Sequence, residues 1–271
     1  MPERAKEFTI EKIDPGGSPG PRQDLVAREE PLEIRVEGNS VAVVMRTPGH
    51  DRELAAGFLL SEGVVSDPAD IFEISECPSN AENPREKGNL VDVLLTKGAN
   101  FDAATLTRHV FSSSSCGICG KATIDAVFGN FPPISSAVHV TSAQLVSYPE
   151  KLRAAQETFD KTGGIHASAL FDSAGQITVL REDVGRHNAL DKVVGNALLN
   201  SLLPLSGHTL LLSGRISFEL MQKALAAGIP TVAGISAPSS LAIEFARASG
   251  QTLVGFLRGE TMNVYAGQVE R

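Results

Sequence analysis

From residue 208 to residue 257 the chain alternates between two hydrophobic periods, and nothing else in it limits the fold so tightly. The pattern predicts strands at 208–212, 230–235 and 252–257 and helices at 217–227 and 239–248, joined by short turns that carry Gly or Pro. Connections this short force each helix back onto the strands it joins, so this half predicts a layered α/β domain. Upstream, a helix is expected from Thr141 or Ser142, kinked near Pro149 and running to about Phe159 before Gly163-Gly164. Strands at 167–171 and 176–181 flank the turn composition Asp172-Ser173-Ala174-Gly175. A helix over 185–199 then places Ala189, Leu190, Val193 and Val194 on one face.

The first half reads differently. Two strands at 32–37 and 41–46, joined at Gly38-Asn39-Ser40, predict a hairpin. A helix over 52–62 buries Leu54, Ala55, Phe58 and Leu59 and stops at Gly63, and further strands fall at 71–75 and 90–95 around a polar loop at 78–88. Asp14-Pro15-Gly16-Gly17-Ser18-Pro19-Gly20-Pro21 is too broken for either period. The expected organisation is a flexible arm over 1–30, a β-rich subdomain with one helix over 31–140, and an α/β/α layered domain over 141–271.

The β-rich half contains the most reactive stretch, Ser112-Ser113-Ser114-Ser115-Cys116-Gly117-Ile118-Cys119-Gly120-Lys121. Serines and glycines offer little to a core, so 112–121 reads as an exposed loop. A following helix, with Ile124, Val127 and Phe128 on one face, puts the thiols near a helix start, where unpaired N–H groups and Lys121 favour the thiolate. The C-x-x-C spacing suits a small disulfide, half of a metal site, or the handing of sulfur from one thiol to the other. A closed zinc site needs four ligands, and Cys77 is the one further cysteine, so no structural metal is expected. Dithiol redox chemistry competes with sulfur transfer.

Composition narrows the classes. Hydrophobic residues at 42% and charged residues at 21% are ordinary for a soluble protein, and no run reaches the length of a membrane span. The chain starts without a basic apolar signal, and three cysteines cannot all pair within it, which points to a reducing cytoplasm. A net charge of −8 argues against general nucleic-acid binding, although Arg181, Arg186, Arg215 and Arg258, each at a junction between elements, suit a single phosphate.

The element order of the second half resembles cytidine-deaminase-type folds. Zinc deaminases need H-x-E and P-C-x-x-C, and the matching slots here read Arg181-Glu182-Asp183-Val184-Gly185-Arg186-His187 and Ser213-Gly214-Arg215-Ile216-Ser217, so the layered domain is expected to lack the zinc ligands. Across most of its length the chain resembles the formate dehydrogenase accessory sulfurtransferases, the FdhD family. The resemblance is carried by Thr47-Pro48-Gly49-His50-Asp51-Arg52-Glu53, the loop Ser115–Gly120, Thr162-Gly163-Gly164-Ile165-His166, Arg181–Lys192, Ser213–Glu219 and Val254–Gly259.

That resemblance implies a sulfurtransferase and cofactor chaperone that takes persulfide sulfur from a cysteine desulfurase. The sulfur goes to the molybdenum or tungsten bis(molybdopterin guanine dinucleotide) cofactor of formate dehydrogenase, whose catalytic subunit is the client. It implies Cys116 as the persulfide carrier, with Cys119 relaying or releasing the sulfur, and a cofactor site at Phe256, Leu257, Arg258, Gly259, Glu260 and Thr261. A homodimer is implied, with no nucleic acid and no membrane as partner. His166 and His187, and the group Asp183, Arg186 and Asp191, read as structural polar residues. The rival reading is an escort protein that binds the cofactor while C-x-x-C serves as a redox latch or tether.

Overall fold

The computed structural model describes residues 3–13, 20–76, 88–96, 127–135 and 140–271. Its frame is a six-stranded sheet in the order β12-β11-β10-β9-β7-β8. β7 (His166–Phe171) and β8 (Ile177–Asp183) form a hairpin whose turn is closed by the Asp172 carboxylate, which accepts the Gln176 N–H at 2.8 Å. β9 (Thr209–Leu212), β10 (Thr231–Gly234) and β11 (Thr252–Arg258) run parallel to one another, and β12 (Thr261–Ala266) returns antiparallel along β11. β9 and β10 are buried at every position, the signature of central parallel strands covered on both faces.

One face of this sheet is covered by α2 (Ser142–Ala155), which packs Leu145, Tyr148 and Leu152 on Phe171, Leu211, Val254 and Leu257. Tyr148 and Phe171 stack with ring centroids 3.9 Å apart. The other face meets α4 (Arg186–Leu199), α5 (Phe218–Ala226) and α6 (Ser240–Ser249). Beyond that helical layer lies a second sheet, β4-β3-β6-β5, built from β3 (Glu30–Val36), β4 (Asn39–Arg46), β5 (Ile71–Glu76) and β6 (Leu90–Leu95). Leu32, Ile34 and Val36 of β3 point inward while Glu33 and Arg35 alternate outward.

α1 (Asp51–Ser61) joins the two halves by lying against α4. Their backbones meet without intervening side chains: a Cβ on Gly57 would sit 1.9 Å from the Asp191 carbonyl oxygen, and one on Gly195 would sit 1.8 Å from that of Glu53. One apolar cluster therefore runs from β3 and β6 through α1 and α4 to β9, β10 and α6, and the expected boundary near residue 140 does not divide the core.

Two expectations need correction. Part of the supposed flexible arm is a hairpin, β1 (Ala5–Lys12) paired antiparallel with β2 (Gly20–Ala27), because Phe8-Thr9-Ile10 and Leu25-Val26 supply strand-forming residues on either side of the Pro- and Gly-rich run. The helix after residue 141 passes through Pro149 and breaks instead at Gln156. There the buried Glu182 carboxylate accepts the N–H groups of Thr158 and Phe159, both at 2.9 Å, and so starts α3 (Glu157–Thr162). β12, which the sequence reading did not place, follows β11 through a tight turn. Among the described residues no helix is long and apolar enough to cross a membrane.

Candidate functional site

Because β9, β10 and β11 are parallel, their carboxyl ends lie on one edge of the large sheet, and the loops that follow are tied to each other. The Ile235 N–H donates to the Leu212 carbonyl at 3.0 Å, the Ile216 N–H to Ala237 at 3.1 Å, the Ser239 N–H to Ile216 at 2.9 Å and the Phe256 N–H to Ser236 at 3.1 Å. α5 and α6 both start from this edge, so their amino termini direct partial positive charge to it. Ser239 caps α6 by accepting the Ala242 N–H, whereas the Ser217 hydroxyl does not cap α5 and lies 3.3 Å from His187 Nε2.

The antiparallel hairpin adds to the same edge. His166, at the start of β7, is opposite Asp183, at the end of β8, and α4 begins three residues later. Asp183 is wholly buried, and its oxygens accept from four groups: the Gly185 N–H at 2.8 Å, Asn188 Nδ2 at 3.0 Å, the Thr47 N–H at 3.1 Å and Lys192 Nζ at 2.6 Å. Lys192 Nζ also donates to the Thr47 carbonyl at 2.8 Å. This network holds the β8–α4 turn and the Thr47-Pro48-Gly49-His50 segment in register, and fixes where Arg186 and His187 emerge.

Arg186 Nε is buried without a hydrogen-bond partner among the described residues. Next to it, a Cβ on Gly214 would lie 3.1 Å from His166 Nδ1 and 3.7 Å from Arg186 Cδ, so the glycine keeps this corner open. Burial, reinforced by the Arg186 charge, pushes the His166 imidazole below its ordinary range and keeps it neutral at pH 7. His187 Nε2 lies 2.8 Å from the Glu219 carboxylate, and that contact is the main reason the Glu219 carboxyl is held below the usual range.

The six positions predicted for the cofactor lie where β11 ends and turns into β12, and their side chains do not act alike. Phe256, 38% exposed, has a left-handed backbone (φ 52°), rare for an aromatic residue. Arg258 sits with its guanidinium carbon 5.7 Å from the Phe256 ring centroid and donates Nε to the Ile235 carbonyl at 3.0 Å. Leu257 is 0% exposed and packs in the core beneath α2, so it has no side chain to offer a ligand. Gly259, at φ 52°, and Glu260 form the turn, and the Thr261 hydroxyl closes it on the Arg258 carbonyl at 3.1 Å. Cys116 and Cys119, like Cys77, lie outside the described residues. Sequence reasoning treated His166 as structural and left Arg186 with two readings, a phosphate contact at a junction between elements and a member of a structural polar group; its place at the start of a helix on the sheet edge is the signal for the first.

The arrangement defines a class: a mixed α/β protein with an arginine- and glycine-bearing edge at the amino termini of α4, α5 and α6, suited to a phosphorylated ligand. The FdhD/NarQ family model matches residues 27–271, and the chain belongs to that family. It is 52% identical over 258 residues to the Sulfur carrier protein FdhD of Streptomyces coelicolor, covering 93% of this chain and 90% of that one. With the Sulfur carrier protein FdhD of Mycobacterium tuberculosis it shares 50% identity over 249 residues, 90% of each chain. A crystal structure from Desulfotalea psychrophila, of a protein assigned as a formate dehydrogenase accessory protein, superposes with a TM-score of 0.77 at 25% identity over 98% of both chains.

Proposed function

We propose that this chain is a sulfur carrier for formate dehydrogenase, loading sulfur on Cys116 and delivering it to a bis(molybdopterin guanine dinucleotide) cofactor held, as substrate, at the edge where β9, β10 and β11 end. The observation that carries the dinucleotide end of this reading is the convergence on one edge of three helix amino termini with Arg186, Arg215 and Arg258, in a chain whose net charge is −8. The sulfur end is supported by the 52% identity to a relative named a sulfur carrier protein.

The residues divide the work. Arg186, with its unpartnered Nε, and the open corner at Gly214 suit a phosphate oxygen. Phe256 and Arg258 give a planar and a cationic surface to a purine and its phosphates. In the loading step the Cys116 thiolate attacks the outer sulfur of a desulfurase persulfide, a new S–S bond forms, and the desulfurase leaves as its thiolate. Delivery through attack of the Cys119 thiolate on Cys116 Sγ releases the outer sulfur at the sulfide level and leaves a disulfide between the two cysteines, which two external thiols must reduce.

The test is intact mass after incubation with a cysteine desulfurase and cysteine, followed by activation of apo formate dehydrogenase. The wild type should gain about 32 Da, one reducible sulfur atom. Cys116→Ala should lose both the gain and the activation, while guanosine diphosphate binding stays at the wild-type level. Full activation by Cys116→Ala would end the carrier role and leave the escort reading.

A further inference from the structure

α4 and α5 meet through two pairs of charged side chains, one a helical turn further in than the other. The inner pair is Asp191 of α4 and Lys223 of α5: Lys223 Nζ donates to both Asp191 oxygens, at 2.8 and 2.9 Å, and Asp191 is buried. The outer pair is His187 of α4 and Glu219 of α5, one turn nearer the amino termini that form the sheet edge. There His187 Nε2 lies 2.8 Å from the Glu219 carboxylate, and the two side chains are 28% and 45% exposed. The inner pair is closed off, and the outer pair is open to solvent beside Arg186.

This geometry sets the tautomer of the imidazole. The hydrogen bond with His187 is the first cause that holds Glu219 as a carboxylate, and the charges of His187, Lys223 and Arg186 add to it against burial. A carboxylate only accepts, so Nε2 keeps its proton, and the proton that comes and goes with pH is the one on Nδ1. The Ser217 hydroxyl, 3.3 Å from the same Nε2, can then only accept from it, and it does not cap α5, so its O–H is left to donate elsewhere. The charged and titratable groups around the imidazole come from four elements: Arg186 and Asp191 on α4, Glu219 and Lys223 on α5, His166 on β7 and Asp183 at the end of β8. Asp183 is matched by Lys192 and Asp191 by Lys223, and burial keeps His166 neutral. The proton-dependent charge of this corner therefore falls to His187.

We propose that His187 is a ligand-binding cation of this edge: a phosphorylated ligand accepts its Nδ1–H and the Ser217 O–H, and binds with uptake of a proton from solvent. The inference rests on the reading of the edge as a dinucleotide site and names what switches that site. With the proton in place, the imidazolium neutralises Glu219, and Arg186 adds its charge to that of the helix amino termini. Without it, a carboxylate stands unmatched near Arg186 and repels phosphate. The sign follows: an anion stabilises the protonated form, so affinity is highest on the acid side and falls as pH rises through the imidazole titration.

The test is the affinity of the full chain for guanosine diphosphate from about pH 6 to 8.5, a span that covers much of the imidazole titration. The terminal phosphate of the probe titrates in the same range, and comparing variants at each pH cancels it. Relative to His187→Gln, wild-type affinity should fall about tenfold from the acid end to the alkaline end. Glu219→Gln removes the carboxylate that deprotonation leaves unmatched, and at the alkaline end it should bind about tenfold more tightly than wild type. A pair that merely clamps α4 to α5 would instead weaken binding at every pH alike when Glu219 is changed. A ratio of wild type to His187→Gln that does not move with pH, or a Glu219→Gln variant weaker than wild type throughout, overturns the proposal and leaves the dinucleotide site standing. No binding of guanosine diphosphate at any pH overturns both.

Discussion

Phe256 places an aromatic side chain on a left-handed backbone (φ 52°), a conformation that costs a non-glycine residue roughly 1–2 kcal/mol. The surroundings impose it: the Phe256 N–H is committed to the Ser236 carbonyl, and a Cβ on the preceding Gly255 would lie 2.8 Å from Pro238 Cδ. Phe256→Gly relieves that strain and should leave stability unchanged or raise it by about 1 kcal/mol, read from the urea midpoint. The same variant should bind guanosine diphosphate about tenfold more weakly if the ring supports a base, since stacking is worth about 1–3 kcal/mol. Wild-type affinity in Phe256→Gly would remove the ring from the site. At this scale sequence reading put residues 256–261 at a strand end, where β11 does turn into β12, and was blind to the orientation of the side chains. Residues 253–255 are buried in succession and alternation resumes only at 256–258, after register shifts in β11, so that the sequence did not show that Leu257 faces the core between exposed Phe256 and exposed Arg258.

At the scale of elements, the decisive contact is the crossing of α1 and α4. Gly57 and Gly195 bring the two backbones together, and the nearest atoms to any added Cβ belong to backbone, which cannot swing away. Gly195→Ala should therefore force the helices apart and cost at least 1–3 kcal/mol, roughly the range for overpacking a core. Gly57→Ala should do the same, with a lowered melting temperature as the readout. A melting temperature within error of wild type for either would mean that the helices slide freely, against the packing described. The strands and helices of residues 166–258 were legible because local periodicity and turn residues agree with the fold there. The end of α2 was not, because it is set by Glu182, 23 residues or more along the chain from the N–H groups it accepts. The β1–β2 hairpin was hidden for a different reason: the Pro- and Gly-rich run at its tip drew the whole segment into a loop reading.

For the whole molecule, one carboxylate joins elements far apart in sequence. Glu53 of α1 receives Arg181 of β8 through Nε at 2.5 Å and a terminal nitrogen at 2.7 Å, Asn196 of α4 at 2.9 Å, and lies 3.4 Å from His50 Nδ1. Burial alone would raise its pKa; the hydrogen bonds from Arg181, His50 and Asn196 and the Arg181 charge overcome that and hold it at about 2, against an ordinary 4.5. A carboxyl whose folded pKa is depressed stabilises the native state fully above its unfolded pKa and loses that contribution as pH falls toward the folded value. Part of the link between the small-sheet half and the large sheet should thus weaken between pH 4.5 and about 2. Glu53→Gln keeps the shape and removes the charge, and at neutral pH it should cost about 1.5–3 kcal/mol, the range for hydrogen bonds to a charged group. Urea midpoints of wild type and Glu53→Gln, measured from pH 7 downward, should converge as the wild-type carboxylate protonates. Curves that stay parallel across that range would place the acid sensitivity of the molecule elsewhere and reduce the Glu53–Arg181 pair to a contact without thermodynamic weight.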